Sequence, residues 1–110
     1  MRIIASFIIS IFLLAPSIAG AQTPGWWIII ASPKMDAPQG GIDESYRKAK
    51  QCGFEAYHDF SEKFMNFKPG YNVVVLVHPY QTQKAATIDL KRVRKCVPDA
   101  YIKYGSYAGE

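Results

Sequence analysis

The residue types able to carry acid–base, nucleophilic or metal chemistry are sparse in this chain: two histidines, two cysteines and nine carboxylates. His58 and Asp59 are adjacent in an alternating segment. Successive side chains of a strand point to opposite faces, so the two cannot share a proton as a dyad. His78 stands apart from them, followed by Pro79. No serine occupies a nucleophile-elbow turn, and no two carboxylates have a defined helical spacing. Pro69-Gly70 offers one glycine in a turn, not a phosphate-cradling loop. Cys52 and Cys96 lie outside any Cys-x-x-Cys motif, which excludes a thioredoxin-like pair or a zinc knuckle. The expected catalytic, metal and cofactor sets are therefore empty, and the chain reads as a binding protein, not an enzyme.

The N-terminus indicates where it binds. Arg2 precedes an apolar run from Ile3 to Ala15, Pro16 breaks the run, and Ala19-Gly20-Ala21 supplies small residues for a signal peptidase. Residues 1–21 thus read as a cleavable signal peptide, with cleavage before Gln22. The run of about 13 residues is too short for the roughly 20 that a membrane span needs, so no stable anchor is expected after cleavage. Export to the periplasm or beyond makes nucleic acid an unsuitable partner. Loss of Arg2 leaves 12 basic against 9 acidic residues, a net charge of +3. That balance lacks a nucleic-acid signature and is compatible with weak attraction to anionic polymers. Residues 22–110 make one domain, which at this length buries roughly 60–65% of its unfolded surface.

The elements follow from periodicity. Trp26–Ala31 and Tyr71–Val77 are apolar, β-branched runs and read as strands, while Phe54–Phe60 and Ala100–Tyr104 read as shorter ones. Ile42–Cys52 has helical spacing with a Gly53 stop. Thr82 is the expected N-cap of a second helix reaching about Lys95. Its inner stripe is Ala86, Leu90, Val93 and Val97, and its basic outer side (Lys84, Lys91, Arg92, Arg94, Lys95) reads as a solvated face. Ser61–Gly70 reads as a connection ending in a Pro-Gly turn. The order is strand–helix–strand, turn, strand–helix–strand. Both helix ends echo one another, Cys52-Gly53-Phe54-Glu55-Ala56-Tyr57 against Cys96-Val97-Pro98-Asp99-Ala100-Tyr101. The expected fold is α+β: a ferredoxin-like βαββαβ domain with a four-stranded antiparallel sheet, strand order 4-1-3-2, and both helices on one face.

Ala31-Ser32-Pro33 after the first strand, Gly53-Phe54 after the first helix, His78-Pro79-Tyr80 after the third strand, and Ala86 and Leu90 in the second helix together resemble the sporulation-related repeat (SPOR) domain. The resemblance covers essentially all of the mature chain. It implies a non-catalytic cell-envelope module that binds peptidoglycan glycan strands through the open face of the sheet. The helices can cover only one face, yet the two central strands are apolar on both. Taking side-chain parity from the resemblance, Trp27, Ile29, Val74 and Leu76 point away from the helices. Tyr57, Asp59, His78, Tyr101 and Lys103 form a polar rim. These residues, Asp59 apart, are the expected binding set. Ile29 and Val74 stand where the family often carries Gln and Arg. An envelope protein, or a homodimer through the sheet face, therefore remains beside the glycan as partner. A small periplasmic inhibitor or immunity protein is the alternative function.

The cysteines pull two ways. Two cysteines in an exported domain of this size usually pair. In the expected topology, however, the two helices run antiparallel and their C-terminal ends fall at opposite ends of the layer. The topology favours unpaired cysteines packed as small apolar residues at the helix ends.

Overall fold

A computed structural model describes residues 23–109. The expected signal peptide and its cleavage site lie outside the described residues. In chain order the elements are β1 (Thr23–Ala31), α1 (Gln39–Gln51), β2 (Ala56–Phe60), a 3₁₀ turn (Ser61–Lys63), β3 (Phe64–Met65), β4 (Asn72–Leu76), α2 (Gln83–Val93) and β5 (Tyr101–Tyr107). The described residues form an α+β fold, with two helices and one antiparallel sheet of order β2-β4-β1-β5-β3. The expected four-stranded sheet is corrected to five. The additional strand, β3, comes from the stretch read as a connection and pairs Phe64 with Tyr107 and Met65 with Ser106. β1 and β5 are also longer than their apolar cores. Pro24, Gly25, Gly105 and Ser106 are poor strand formers, yet the ladder runs through them to Thr23↔Tyr107. Tertiary pairing overrides local propensity there.

The helix-facing side was legible in the sequence. Thr82 caps α2, its Oγ1 accepting from the Ala85 N–H at 3.1 Å, a contact typically worth about 1 kcal/mol. Ala86, Leu90, Val93 and Val97 are all buried. From α1, Ile42 and Ala49 face the same core, and Ser45 donates to the Gly41 carbonyl at 2.9 Å. Ile28, Ile30, Val74 and Leu76 complete it from the sheet.

The other side of the sheet is not open. Trp27, Ile29, Val73 and Val75 form a second core with Phe64 and Phe67, and Tyr57 and Tyr107 pack on its margin. The sheet curls to enclose this cluster. Three interstrand spacings would hold β2 and β5 about 14 Å apart in a flat sheet. Instead the Tyr107 hydroxyl donates to Asp59 of β2, and the Tyr57 and Tyr107 rings meet edge-on at 5.6 Å. Two corrections follow. Trp27 and Ile29 do point away from the helices, but they are covered by the chain itself. Val74 and Leu76 face the helices, and Val73 and Val75 take the second side. A one-residue change of parity flips every side chain of a strand. The β1–β4 register itself shifts between Ile29↔Val75 and Ala31↔Val74, the kind of local irregularity that transferred parity misses.

The cysteines are also corrected. Cys52 and Cys96 form a disulfide, with Cα atoms 6.0 Å apart. The expectation placed the two helices in strict antiparallel symmetry. The symmetry is broken where α2 ends at Val93: a non-helical turn then carries Cys96 onto the end of α1. The Cys52 sulfur lies 3.6 Å from the Arg92 carbonyl, and the Arg92 guanidinium sits 5.0 Å from the Phe54 ring centroid. The C-terminal ends of both helices therefore meet. A cross-link separated by 44 positions stabilises by about 4 kcal/mol in the chain-entropy model. Cys52→Ser with Cys96→Ser should lower the unfolding free energy by about 2–4 kcal/mol in urea titrations. Non-reducing peptide mapping of the wild type should recover the cross-linked pair.

Candidate functional site

The second core sets the geometry of the site. Phe64 and Phe67 stack in parallel, 4.5 Å apart and 8° from coplanar, and Phe64 meets Trp27 edge-on at 5.3 Å. The Trp27 indole N–H donates to the Gly105 carbonyl at 3.1 Å, so a buried polar atom is satisfied while the ring fills the curl. Gly105 is required by close approach. A Cβ there would lie 2.7 Å from Phe67 Cε1 and 2.8 Å from the Met65 carbonyl oxygen. Ser61 anchors the start of the covering segment. Its N–H donates to the Tyr71 carbonyl at 2.8 Å, and its hydroxyl accepts from the Tyr71 N–H at 3.1 Å.

Where this segment meets the C-terminal end of β1 and the start of β5, it leaves a cleft of about 270 Å³. Phe67 and Val73 line it on the apolar side. Lys68, Lys103, Ser32, Tyr101, Ser61 and Tyr71 supply its polar groups. The Ser32 and Tyr101 hydroxyls are 2.6 Å apart, and the Lys103 ammonium lies 6.0 Å from the Phe67 ring centroid. Neither Lys68 nor Lys103 is ion-paired among the described residues. The cleft thus combines two available cations, a hydroxyl pair and aromatic surface, a donor and stacking set suited to a hydroxyl-rich ligand bearing negative charge. Among the described residues no group of three or more His, Cys, Asp or Glu side chains could hold a metal ion. Among the described residues no helix is long and apolar enough to cross a membrane.

Of the expected binding residues, the structure brings Tyr101 and Lys103 together in this cleft. Trp27 and Ile29 lie beneath the covering segment, and Val74 and Leu76 lie in the helix-side core. Tyr57 is half-buried against Tyr107. His78 is exposed at the opposite end of the sheet, where Trp26 bridges Tyr80, and it lines a separate depression with Phe54 and Glu55. His58 and Asp59 diverge as expected. His58 Nε2 lies 2.7 Å from Asn72 Oδ1, and Asp59 turns inward to Tyr107. Sequence reasoning missed Ser32, Ser61, Phe67, Lys68, Tyr71 and Val73 as site-forming residues. The available signal was the density of phenylalanine in Phe60, Phe64 and Phe67, too apolar for a solvated connection.

Two tyrosines have phenols raised well above their ordinary range. For Tyr107 burial is the main cause, followed by its hydrogen bond to Asp59. For Tyr80 burial again leads, followed by donation to Asp89 Oδ2 at 2.6 Å. An unfolded chain ionises its tyrosines near pH 10. The stabilisation from these raised phenols is therefore present below about pH 10 and lost as pH rises beyond it. The urea midpoint should fall between pH 8 and pH 11, and Tyr107→Phe should show a smaller fall than wild type.

Gly105→Ala tests the covering segment. The added methyl forces Phe67 or the Met65 backbone aside. Overpacking of this kind costs about 1–3 kcal/mol, to be read as a lowered urea midpoint with enhanced accessibility of Trp27 to a fluorescence quencher. An unchanged midpoint and unchanged quenching would show that the segment yields freely. Comparison with known proteins returns no family model, no curated protein and no solved structure that matches this chain.

Proposed function

We propose that the protein is a non-catalytic, exported cell-envelope binding module that takes peptidoglycan glycan strands in the cleft formed by Ser32, Lys68, Tyr101 and Lys103. The observation that carries this reading is the convergence of two lysines without an ion pair among the described residues, a hydroxyl pair and an exposed tyrosine at one concave site. A sugar ring offers hydroxyls to the Ser32–Tyr101 pair and an apolar face to aromatic surface. A muramic unit freed of its stem peptide adds a carboxylate for the lysines. The resemblance to SPOR domains and the expected signal peptide point to the same compartment and ligand class. The site differs from the one the resemblance implied. The sheet face is filled by Phe64 and Phe67, so Trp27 and Ile29 contact the chain itself, not a glycan or a second protomer.

Co-sedimentation with purified sacculi, before and after amidase removal of stem peptides, tests this reading. Wild type should sediment with both, and more strongly with the stripped material. Hydrogen bonds to charged groups contribute about 1.5–3 kcal/mol each. Lys68→Glu with Lys103→Glu should therefore weaken binding by at least about tenfold, with circular dichroism and melting temperature retained. Sedimentation of the double variant at the wild-type level would show that the cleft is not the site. Absence of wild-type sedimentation would remove the glycan reading and leave the inhibitor or immunity alternative.

A further inference from the structure

We propose that the glycan site does not stop at the Ser32–Tyr101 pair but crosses it onto the helix side of the sheet, forming a two-cleft track for a chain of several sugar units. This inference rests on the glycan reading of the first cleft. Ser32 and Tyr101 line that cleft, and both also line a second one of about 370 Å³. The second cleft lies between the end of β1, α1 and the turn before β5. Ile30, Val97 and Pro98 line its apolar side, and Lys48, Asp99 and Ser45 are its polar groups. The hydrogen-bonded hydroxyl pair is therefore a ridge with a concavity on each side. Together the two hold more than twice the volume of the first alone.

The ridge is chemically suited to a ligand passing over it. A hydroxyl has one proton and two lone pairs. With the two oxygens 2.6 Å apart, one hydroxyl spends its proton on the other. One O–H donor and several acceptor lone pairs remain for a ligand at the crest. Tyr101, 38% exposed as a residue, offers its ring for stacking at the same point.

The two sides also differ in charge. The first cleft carries Lys68 and Lys103 with no carboxylate in its lining. In the second, Lys48 is accompanied by Asp99, and its ammonium lies 4.0 Å from Glu44 on the same helix. An anionic sugar is favoured over the first cleft and a neutral, hydroxyl-rich one over the second. That asymmetry would give an alternating acidic–neutral glycan both a register and a direction. A single end-group has no use for the second concavity, whereas a chain occupies both.

The test is calorimetric titration of the disulfide-bonded mature chain with glycans of N-acetylglucosamine–N-acetylmuramic acid, free of stem peptides, as disaccharide, tetrasaccharide and hexasaccharide. Affinity should rise at least tenfold from disaccharide to tetrasaccharide. Lys48→Ala with Asp99→Ala should bring the tetrasaccharide down to the disaccharide's affinity, whereas Lys103→Glu should weaken every length. Melting curves of each variant exclude loss of fold. Affinity independent of length, or a length gain that survives Lys48→Ala with Asp99→Ala, would overturn the track and leave the first cleft standing. Failure of every oligomer to bind would overturn both, as would an extended peptide binding the cleft in place of the glycan.

Discussion

The structure depends on how the side of the sheet away from the helices is kept from water. Two helices suffice for one face only. β1 and β4 nevertheless carry Trp27, Ile29, Val73 and Val75 on the other, all nearly or fully buried. The chain solves this within itself. The segment after β2 folds over the sheet, adds β3 at the far edge and inserts Phe64 and Phe67 into the concave side. Burying an aromatic side chain of this size stabilises by about 1.5–3 kcal/mol, a large share of the margin of a small domain. Gly105 is the steric condition for that closure, since any side chain there would occupy the space of Phe67. The curl, the fifth strand and the cleft at its mouth all follow from that closure.

The sequence made the helix-side core legible because both helices have strong, local signals: a capping threonine, a Gly stop and a single apolar stripe of period 3.6. Each stripe names its own inner residues, and Ala86, Leu90, Val93 and Val97 lie where the stripe puts them. The strands were legible as elements but not in orientation. Where both faces are apolar, alternation carries no information about which side faces which layer. Parity then had to come from resemblance, and it failed for Val74 and Leu76, whose strand pairs with β1 through an irregular register. β3 was illegible for another reason. Two residues of strand inside a stretch containing Pro, Gly and several charges have no period to detect. Only the phenylalanine spacing hinted at burial.

The disulfide illustrates a conflict between a local rule and a global one. Cysteine count and compartment argued for pairing, whereas idealised helix symmetry argued against it. Pairing prevails because the symmetry argument treated each helix as ending at its cysteine. In the structure Cys52 caps α1, but Cys96 lies on a turn three residues past α2, free to swing toward its partner. The internal echo of the two helix ends is thus a similarity of sequence that does not extend to equivalent geometry. The cross-link ties the end of α1, just ahead of β2, to the connection before β5, while the sheet order keeps β2 and β5 apart.

That tie bears on the proposed site, because the turn before β5 leads into Tyr101, which lines both clefts. Asp99 and Pro98 lie in it, Tyr101 follows directly, and Arg94 donates to the Ala100 carbonyl at 2.7 Å. On the proposed glycan reading, the hydroxyl pair serves best if its oxygens stay at fixed separation while the ligand approaches, since ordering them at the moment of binding would consume part of the affinity. Ser32 directly follows β1, which pairs on both sides. Tyr101 is held by β5 on one side of the turn, and Cys96 is held by α1 on the other. The filled sheet face and the cross-linked turn are thus two parts of one arrangement. The first gives up the broad surface that the resemblance led one to expect, and the second stiffens the narrow end of the sheet that replaces it.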